Sequence, residues 1–167
     1  AFRGRAASSA SRAEKKVRDR LEELGVECFL PVQTVLRQWT YRKSRVVVPL
    51  IAGLVFVRVG RQEQVKVLQT KGVVAFLRLK GEAGAAVIPD KQMEDFRFLL
   101  DFSEEAVEMT NENIKAGDLV RVVKGSLRGM EGELIRHKGV TKVLVRIDML
   151  GCAMVNIPAS FVEKLNK

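Results

Sequence analysis

The sequence is poor in the residues that build metal centres and disulfide frameworks. Its 167 residues include one His and two Cys. Small secreted domains stapled by disulfides need more cysteines than this, and zinc sites combine several His and Cys ligands. Cys28 and Cys152 each lie in an apolar segment, so we expect buried, reduced thiols in a cytoplasmic protein. No metal or cofactor is predicted.

Long hydrophobic runs are also lacking. The longest, Val46–Val57, is interrupted by Pro49 and Gly53, whereas a bilayer-spanning helix needs roughly 20 apolar residues. We therefore expect no membrane-embedded segment. The sequence starts at Ala1 without an initiator Met or a secretory signal. We expect that residues upstream are missing and that they include the start of a first strand.

No constellation of catalytic residues is visible. The Gly-rich stretch 125–132 has no following Gly-Lys-Ser or Gly-Lys-Thr and leads into a predicted strand, which argues against a nucleotide-binding loop. Nothing in the sequence places Cys28 beside His137 as a thiol and its base. The prediction is that the protein is not an enzyme, with a hydrolase or transferase as the weakest alternative.

Positive charge is plentiful. Lys and Arg number 29 against 20 Asp and Glu, giving a net charge of +9 and a pI near 9.9. The excess lies before Leu50 and after Asn111, while the middle of the chain is slightly acidic. Such a balance favours attraction to nucleic acid or another polyanion.

The first helix is predicted from a capping pattern and an apolar stripe. Ser11 and Glu14 have the spacing of a capping box. Val17, Leu21 and Leu24 follow on one face. The sequence therefore predicts a basic amphipathic helix that ends near Gly25.

A basic aromatic loop separates two predicted strands, 26–36 and 45–59, which should pair as a hairpin. The loop holds the only Trp and the only Tyr of the chain. Cationic side chains contact phosphates and aromatic rings stack on unpaired bases, although Trp39 could equally anchor the hairpin. The predicted nucleic-acid contacts are Trp39, Tyr41, Arg42, Lys43 and Arg45, with Arg12, Lys16 and Arg18 of the helix as further candidates that could instead be a solvated face.

The remaining pattern predicts alternating helices and strands, then short strands alone. A helix is expected over 62–69, a strand over 73–79 and a helix after Pro89 with an apolar face that includes Met93 and Phe96. An acidic, apolar-poor stretch follows. Five short β-like runs come last, at 118–124, 132–138, 141–148, 152–157 and 161–165.

Two regions carry a family resemblance. Gly117–Val122 followed by Gly125–Gly132 makes Lys115–Leu165 similar to a KOW domain. The preceding chain resembles the N-terminal domain of the NusG family in the order of five segments. These are Glu14–Gly25, Cys28–Pro31, Val48–Val59, Gly72–Leu77 and Val87–Asp90.

The resemblance implies an α+β fold in two domains. Residues 1–102 would form a NusG N-terminal (NGN) α/β sandwich with an antiparallel sheet. Residues 103–114 would be an acidic linker, and residues 115–167 a small SH3-like KOW β-barrel.

The resemblance also implies a transcription elongation or antitermination factor that binds the clamp helices of RNA polymerase. Its polymerase surface would include Leu54, Phe56, Met93 and Phe96, for which ordinary core packing is the alternative. Ala52, Gly53 and Leu54 replace the family's Pro-Gly-Tyr, and residues 63–65 replace the His-Thr-Thr of RfaH. These departures resemble specialised paralogues such as the UpxY antiterminators or RfaH.

The implied partners of a monomeric factor are nucleic acid and a second protein. The nucleic acid would be non-template or upstream DNA, or nascent RNA. Met149 and Leu150 match the KOW loop that docks ribosomal protein S10 or Rho. A ribosome-associated KOW protein that binds structured RNA remains the alternative, because the barrel and the basic pI fit both.

Overall fold

The protein has an α+β fold with antiparallel sheets. The computed structural model describes residues 3–38, 40–82 and 84–165. Contacts divide the chain into two compact units, Ala1–Asp90 and Lys91–Lys167. This division falls before the helix that we expected to close the first domain. Among the described residues, no helix is long and apolar enough to cross a membrane.

The first unit contains a four-stranded antiparallel sheet in the order β2-β5-β1-β6 and a separate two-stranded ribbon of β3 and β4. Both predicted helices of this region are confirmed, and so is a hairpin, although the stretch 26–36 forms two strands in different sheets rather than one. Its elements are β1 (Arg3–Ser9), α1 (Glu14–Glu23), β2 (Glu27–Phe29), β3 (Val32–Gln38), β4 (Lys43–Pro49), β5 (Leu54–Val59), α2 (Arg61–Gln69) and β6 (Val73–Phe76).

One face of the four-stranded sheet packs against α1 and α2. Alternate β5 side chains, Val55, Val57 and Val59, form a cluster with Val17 and Leu21 of α1. The alternation of a strand sends Leu54 and Phe56 to the opposite face. Both are buried as well, and the Phe56 ring stacks on Phe29 with centroids 6.2 Å apart. Strand β5 is therefore apolar on both faces.

The predicted capping box at the start of α1 is wrong. The helix begins at Glu14, and its cap residue Ala13 makes no side-chain cap hydrogen bond. The buried Glu14 carboxylate accepts instead from the backbone N–H of Gly53, at 3.2 Å. Arg12, in a left-handed conformation with φ of 60°, turns the chain into the helix. A contact distant in sequence thus replaces the local cap.

The Val-rich stretch 45–59 is two strands rather than the single strand that its composition predicts. Strand β4 ends at Pro49 and β5 begins at Leu54. Between them Gly53 has φ of +75°, a conformation that favours glycine because it has no Cβ. The turn lets β5 join the main sheet while β4 stays with the ribbon.

The second unit contains helix α3 and a six-stranded antiparallel sheet in the order β12-β8-β9-β10-β11-β7. All five predicted β-like runs are strands. The sixth strand, β7, falls inside the expected linker. The elements are α3 (Asp90–Phe102), β7 (Glu108–Thr110), β8 (Asp118–Val122), β9 (Glu131–His137), β10 (Val140–Ile147), β11 (Gly151–Asn156), a 3-10 helix (Ala159–Phe161) and β12 (Val162–Lys164).

Two leucines of α1 provide a test of this packing. Leu21 is fully buried, whereas Leu24 is 51% exposed. We expect Leu21→Ala to lower the free energy of unfolding by about 2–5 kcal/mol, because it removes apolar contacts and leaves a cavity. Leu24→Ala should change it by less than about 0.5 kcal/mol. Urea denaturation followed by circular dichroism measures both, and equal losses would contradict the assignment of α1 to the core.

Candidate nucleic-acid and partner interfaces

In the ribbon, the described residues of β3 and β4 alternate between exposed and half-buried positions. Its strands pair over seven positions, from Val32 with Pro49 to Gln38 with Lys43. Seven extended residues span about 20 Å. The base is anchored by Val32, which packs on the main core, and by a hydrogen bond from the Leu50 N–H to the Pro31 carbonyl. The loop at the far end is thereby held away from that core.

One face of the ribbon is exposed from Thr34 to the loop end, beyond the half-buried pair of Val32 and Pro49. Cross-strand pairing brings Leu36 beside Arg45, with Thr34 and Val47 as the next pair. Leu36 and Val47 are exposed apolar side chains. The sequence analysis had not assigned them to a site, because alternation alone does not show that this face of the ribbon is uncovered. The exposed face consequently combines apolar and cationic groups.

The loop end of the ribbon carries an exposed aromatic ring among cations. Tyr41 is 97% exposed, and Arg42 and Lys43 are exposed beside it. Within the described residues, no carboxylate forms an ion pair with either cation or with Arg45. Trp39, the other predicted stacking residue, lies outside the described residues. Unpaired cations around a free ring suit an anionic partner with flat bases.

Helix α1 brings further cations towards the ribbon. The Lys15 ammonium donates to the Val47 carbonyl at 2.8 Å, so the start of α1 lies beside β4. Lys16 is exposed in the first turn of α1, and Arg12 is exposed just before the helix. Arg18 instead forms an ion pair with Asp19 at 3.1 Å. The sequence analysis had not placed Lys15 in the site, since only the fold brings it to β4.

The four residues expected at a polymerase surface are not openly exposed. Leu54, Phe56 and Phe96 are buried, and Met93 is half-buried. Leu54 and Phe56 share one face of β5, as their spacing predicts. A partner can contact these two buried side chains only in a conformation that exposes them.

The β10–β11 turn of the second unit holds the two expected protein-docking residues. Met149 is 37% exposed and has φ of +72°, while Leu150 is half-buried. The side chain of Gln92 in α3 makes two hydrogen bonds with Asp148. The Gln92 amide donates to the Asp148 carboxylate at 2.9 Å, and the Asp148 backbone N–H donates to the Gln92 carbonyl at 2.8 Å. This pair fixes the turn beside α3 and leaves Met149 accessible.

The two thiols have raised pKa values, and Cys152 is buried as expected, whereas Cys28 is only half-buried. Burial, followed by the nearby Glu22 carboxylate, raises the pKa of Cys28 from 9.0 to about 11. Burial also raises the pKa of Cys152. The Cys28 thiol donates to the Arg18 carbonyl at 3.7 Å. Since the thiolate is the nucleophile and the metal ligand, these thiols are poorly suited to either role at neutral pH.

No group of three or more His, Cys, Asp or Glu side chains in the described part of the chain could hold a metal ion. His137, at the end of β9, pairs across the hairpin with Val140. It therefore lies on a sheet strand in the second unit, while Cys28 belongs to the first.

Comparison with known proteins shows the class of the chain. The family model NusG, described as transcription termination factor nusG, matches residues 5–97, more than half of the 167 residues. This match defines the chain as a transcription factor. The chain belongs to the NusG family, which is a family of transcription factors and not of enzymes.

The fold is similar to that of a solved NusG structure. Thermotoga maritima NusG matches with 22% identity and a TM-score of 0.52, over 99% of this chain and 98% of that chain. The MjSpt4:Spt5 complex matches in conformation A with 15% identity and a TM-score of 0.32, over 98% of this chain and 99% of that chain. In conformation B the values are 17%, 0.29, 98% and 97%. No curated protein sequence gives a significant match.

Alkylation tests the state of Cys28. In a Cys152→Ala variant, Cys28 is the only thiol. At pH 8 its raised pKa leaves about a hundredfold less thiolate than an ordinary thiol with a pKa of 9.0. We expect iodoacetamide to react correspondingly slowly, with the urea-unfolded variant as the fast control. Equal rates in the folded and unfolded variant would contradict the burial of this thiol.

The same shift makes stability depend on pH. The unfolded thiol loses its proton at lower pH than the folded one. Between about pH 9 and pH 11 the unfolded state therefore binds fewer protons, and stability falls as pH rises. Cys28→Ala should remove this part of the alkaline loss, as measured by urea unfolding from pH 8 to pH 11. An unchanged pH dependence would contradict the shift.

Proposed function

We propose that this NusG-family chain acts in transcription elongation or antitermination, binding RNA polymerase through its N-terminal region and nucleic acid through the β3–β4 ribbon. The observation that carries the nucleic-acid part is the ribbon itself, with an exposed Tyr41 and cations that lack carboxylate partners among the described residues. Family membership supports the transcriptional role. The proposed activity is suppression of pausing or termination.

The ribbon suits unpaired nucleic acid near the polymerase. Arg42, Lys43 and Arg45 would contact phosphates, while Tyr41 would stack on an unpaired base. Lys15 ties the start of α1 to β4, so Arg12 and Lys16 would extend the contact along the backbone. We place non-template or upstream DNA here, with nascent RNA as the other substrate of the same chemistry.

The polymerase surface is proposed around Leu54, Phe56, Met93 and Phe96, facing the clamp helices. Met93 is the member with partial exposure in this structure. Leu54 and Phe56 would join the contact only in a conformation that uncovers them. If only a small fraction of the molecules adopts that conformation, the apparent affinity for polymerase falls by the same fraction.

The second region is proposed to be the recruiting part. We propose residues 1–102 as the NGN domain, 103–114 as the connection and 115–167 as an SH3-like KOW barrel. Met149 and Leu150 would dock a second protein, with ribosomal protein S10 or Rho as candidates. The replaced Pro-Gly-Tyr and His-Thr-Thr motifs favour a specialised paralogue, similar to UpxY or RfaH, in the bacterial cytoplasm.

A paused elongation complex tests the transcriptional role. Purified full-length chain should bind the complex at micromolar concentration and shorten the pause. Met93→Gln should weaken binding, because it places an amide in an apolar contact. Leu68→Gln changes an exposed residue of the first unit and is the matched control. No binding at micromolar concentration would overturn the proposal, and selective binding to ribosomal RNA would favour the ribosome-associated alternative.

Charge reversal tests the ribbon. Arg42→Glu with Lys43→Glu should weaken binding to a single-stranded or forked DNA probe. It should also reduce the slope of log affinity against log salt by about 0.7–0.9 for each lost phosphate contact. Arg61→Glu with Lys66→Glu makes the same charge change on exposed positions of α2. Equal losses in both variants would show that net charge alone is responsible and would contradict a ribbon site.

A further inference from the structure

The six-stranded sheet of the second unit ends in a very short strand. Strand β7 pairs with β11 over three positions, Cys152 with Thr110, Ala153 with Met109 and Met154 with Glu108. It is the edge strand of this sheet. Residues 107–114, here called the strap, continue from it across the unit. Without the strap, β11 would present its own backbone groups at the edge, as a template for another strand.

An ion pair joins the strap to the neighbouring strand β10. The Lys142 ammonium donates to the Glu108 carboxylate at 2.6 Å. The Lys142 side chain is only 11% exposed, whereas that of Glu108 is 48% exposed. The hydrogen bond from Lys142 lowers the pKa of Glu108. The sheet therefore holds a nearly buried cation beside its edge, and the strap supplies the carboxylate that pairs with it.

The backbone of β11 is shaped to accept a strand. A Cβ atom at Gly151 would lie 2.0 Å from the Thr110 carbonyl oxygen and 2.9 Å from the Asn111 Cα. Any larger residue would push the strap away. Gly151 also has φ of +102°, which favours glycine. Position 151 thus permits close backbone approach where the strap leaves the edge.

The strap also covers an apolar cluster. Ile114 packs on the buried cluster of Ile135, Leu144, Cys152 and Met154. The Ile114 carbonyl accepts from Arg146 at 2.7 Å. The site therefore has three features besides the edge backbone groups of β11, namely a cation, a close-approach glycine and an apolar cluster.

The strap is nevertheless weakly held at its strand. Three paired residues are few, so the strand pairing itself holds the strap only weakly. The strap also borders the β10–β11 turn, because Gly151 follows Met149 and Leu150 directly. A segment that replaced the strap would lie next to this turn.

We infer that the β11 edge is a strand-addition site for an extended segment of a partner protein that presents a carboxylate to Lys142, and that the strap occupies this site until the partner displaces it. Strand addition gains affinity from the backbone and specificity from side chains at the edge. This inference deepens the proposed recruiting role of the second unit and rests on it for its biological purpose.

A peptide with the sequence of residues 106–114 is the probe for the site, labelled with fluorescein and added to the full chain. The unaltered chain should bind it weakly, because the strap competes. Glu108→Lys places two cations together and should open the edge, so the peptide should bind at least about tenfold more tightly. A peptide with Lys in place of Glu108 should not bind. Glu108→Lys combined with Lys142→Glu should restore the ion pair and the weak binding.

Hydrogen exchange and size measurements complete the test. Glu108→Lys should speed exchange at Cys152 and Met154, whose N–H groups face β7, while the buried Val143 stays protected as evidence of an intact fold. Equal peptide binding by the unaltered and Glu108→Lys chains, or unchanged exchange at β11, would overturn the inference. A dimer of the unaltered chain with exchanged straps would also overturn it, by assigning the edge to a second copy. The polymerase is absent from this experiment. A negative result would therefore overturn strand addition at β11 without bearing on the pausing assay.

Discussion

The packing of β5 between two apolar layers is the constraint on which the first unit depends. Val55, Val57 and Val59 contact the helices, while Leu54 and Phe56 are buried on the other side. Fixing this strand fixes β1 and β2, which pair along its two edges. The ribbon is attached to the same core through Val32. Its cations lie beyond this base, on a face that also exposes Leu36 and Val47.

In the first unit, the burial of apolar residues favours stability at the expense of binding. Leu54 and Phe56 serve the proposed polymerase surface, yet both are buried in this structure. The ribbon has no such conflict, since its cationic face is exposed beyond the anchored base. The second unit meets a related problem at its edge, where a short strap pairs with β11 and supplies the carboxylate for Lys142. The surfaces proposed for partners are therefore the exposed ribbon in the first unit and the β11 edge, paired only by a short strand, in the second.

Much of the local structure could be predicted from sequence. The stripe of Val17 and Leu21 predicted α1, and alternation predicted the ribbon and five strands of the second unit. The prediction failed where a distant contact decided the outcome. Glu14 bonds Gly53 rather than capping its own helix. Strand β7 was unrecognised because the composition around Glu108–Thr110 is that of a solvated connection, and only its pairing with β11 makes it a strand.

The sequence by itself determined the family, the basic character of the ribbon loop and the periodicity of most elements, because each depends on residue types at short spacings. The candidate cations Arg42, Lys43 and Arg45 could be named for the same reason. Only the tertiary structure decided which side chains are accessible. It brought Lys15 to β4, buried Phe56 and Phe96, and paired Lys142 with Glu108. Burial and pairing arise between segments far apart in the chain, and a local pattern contains no information about them.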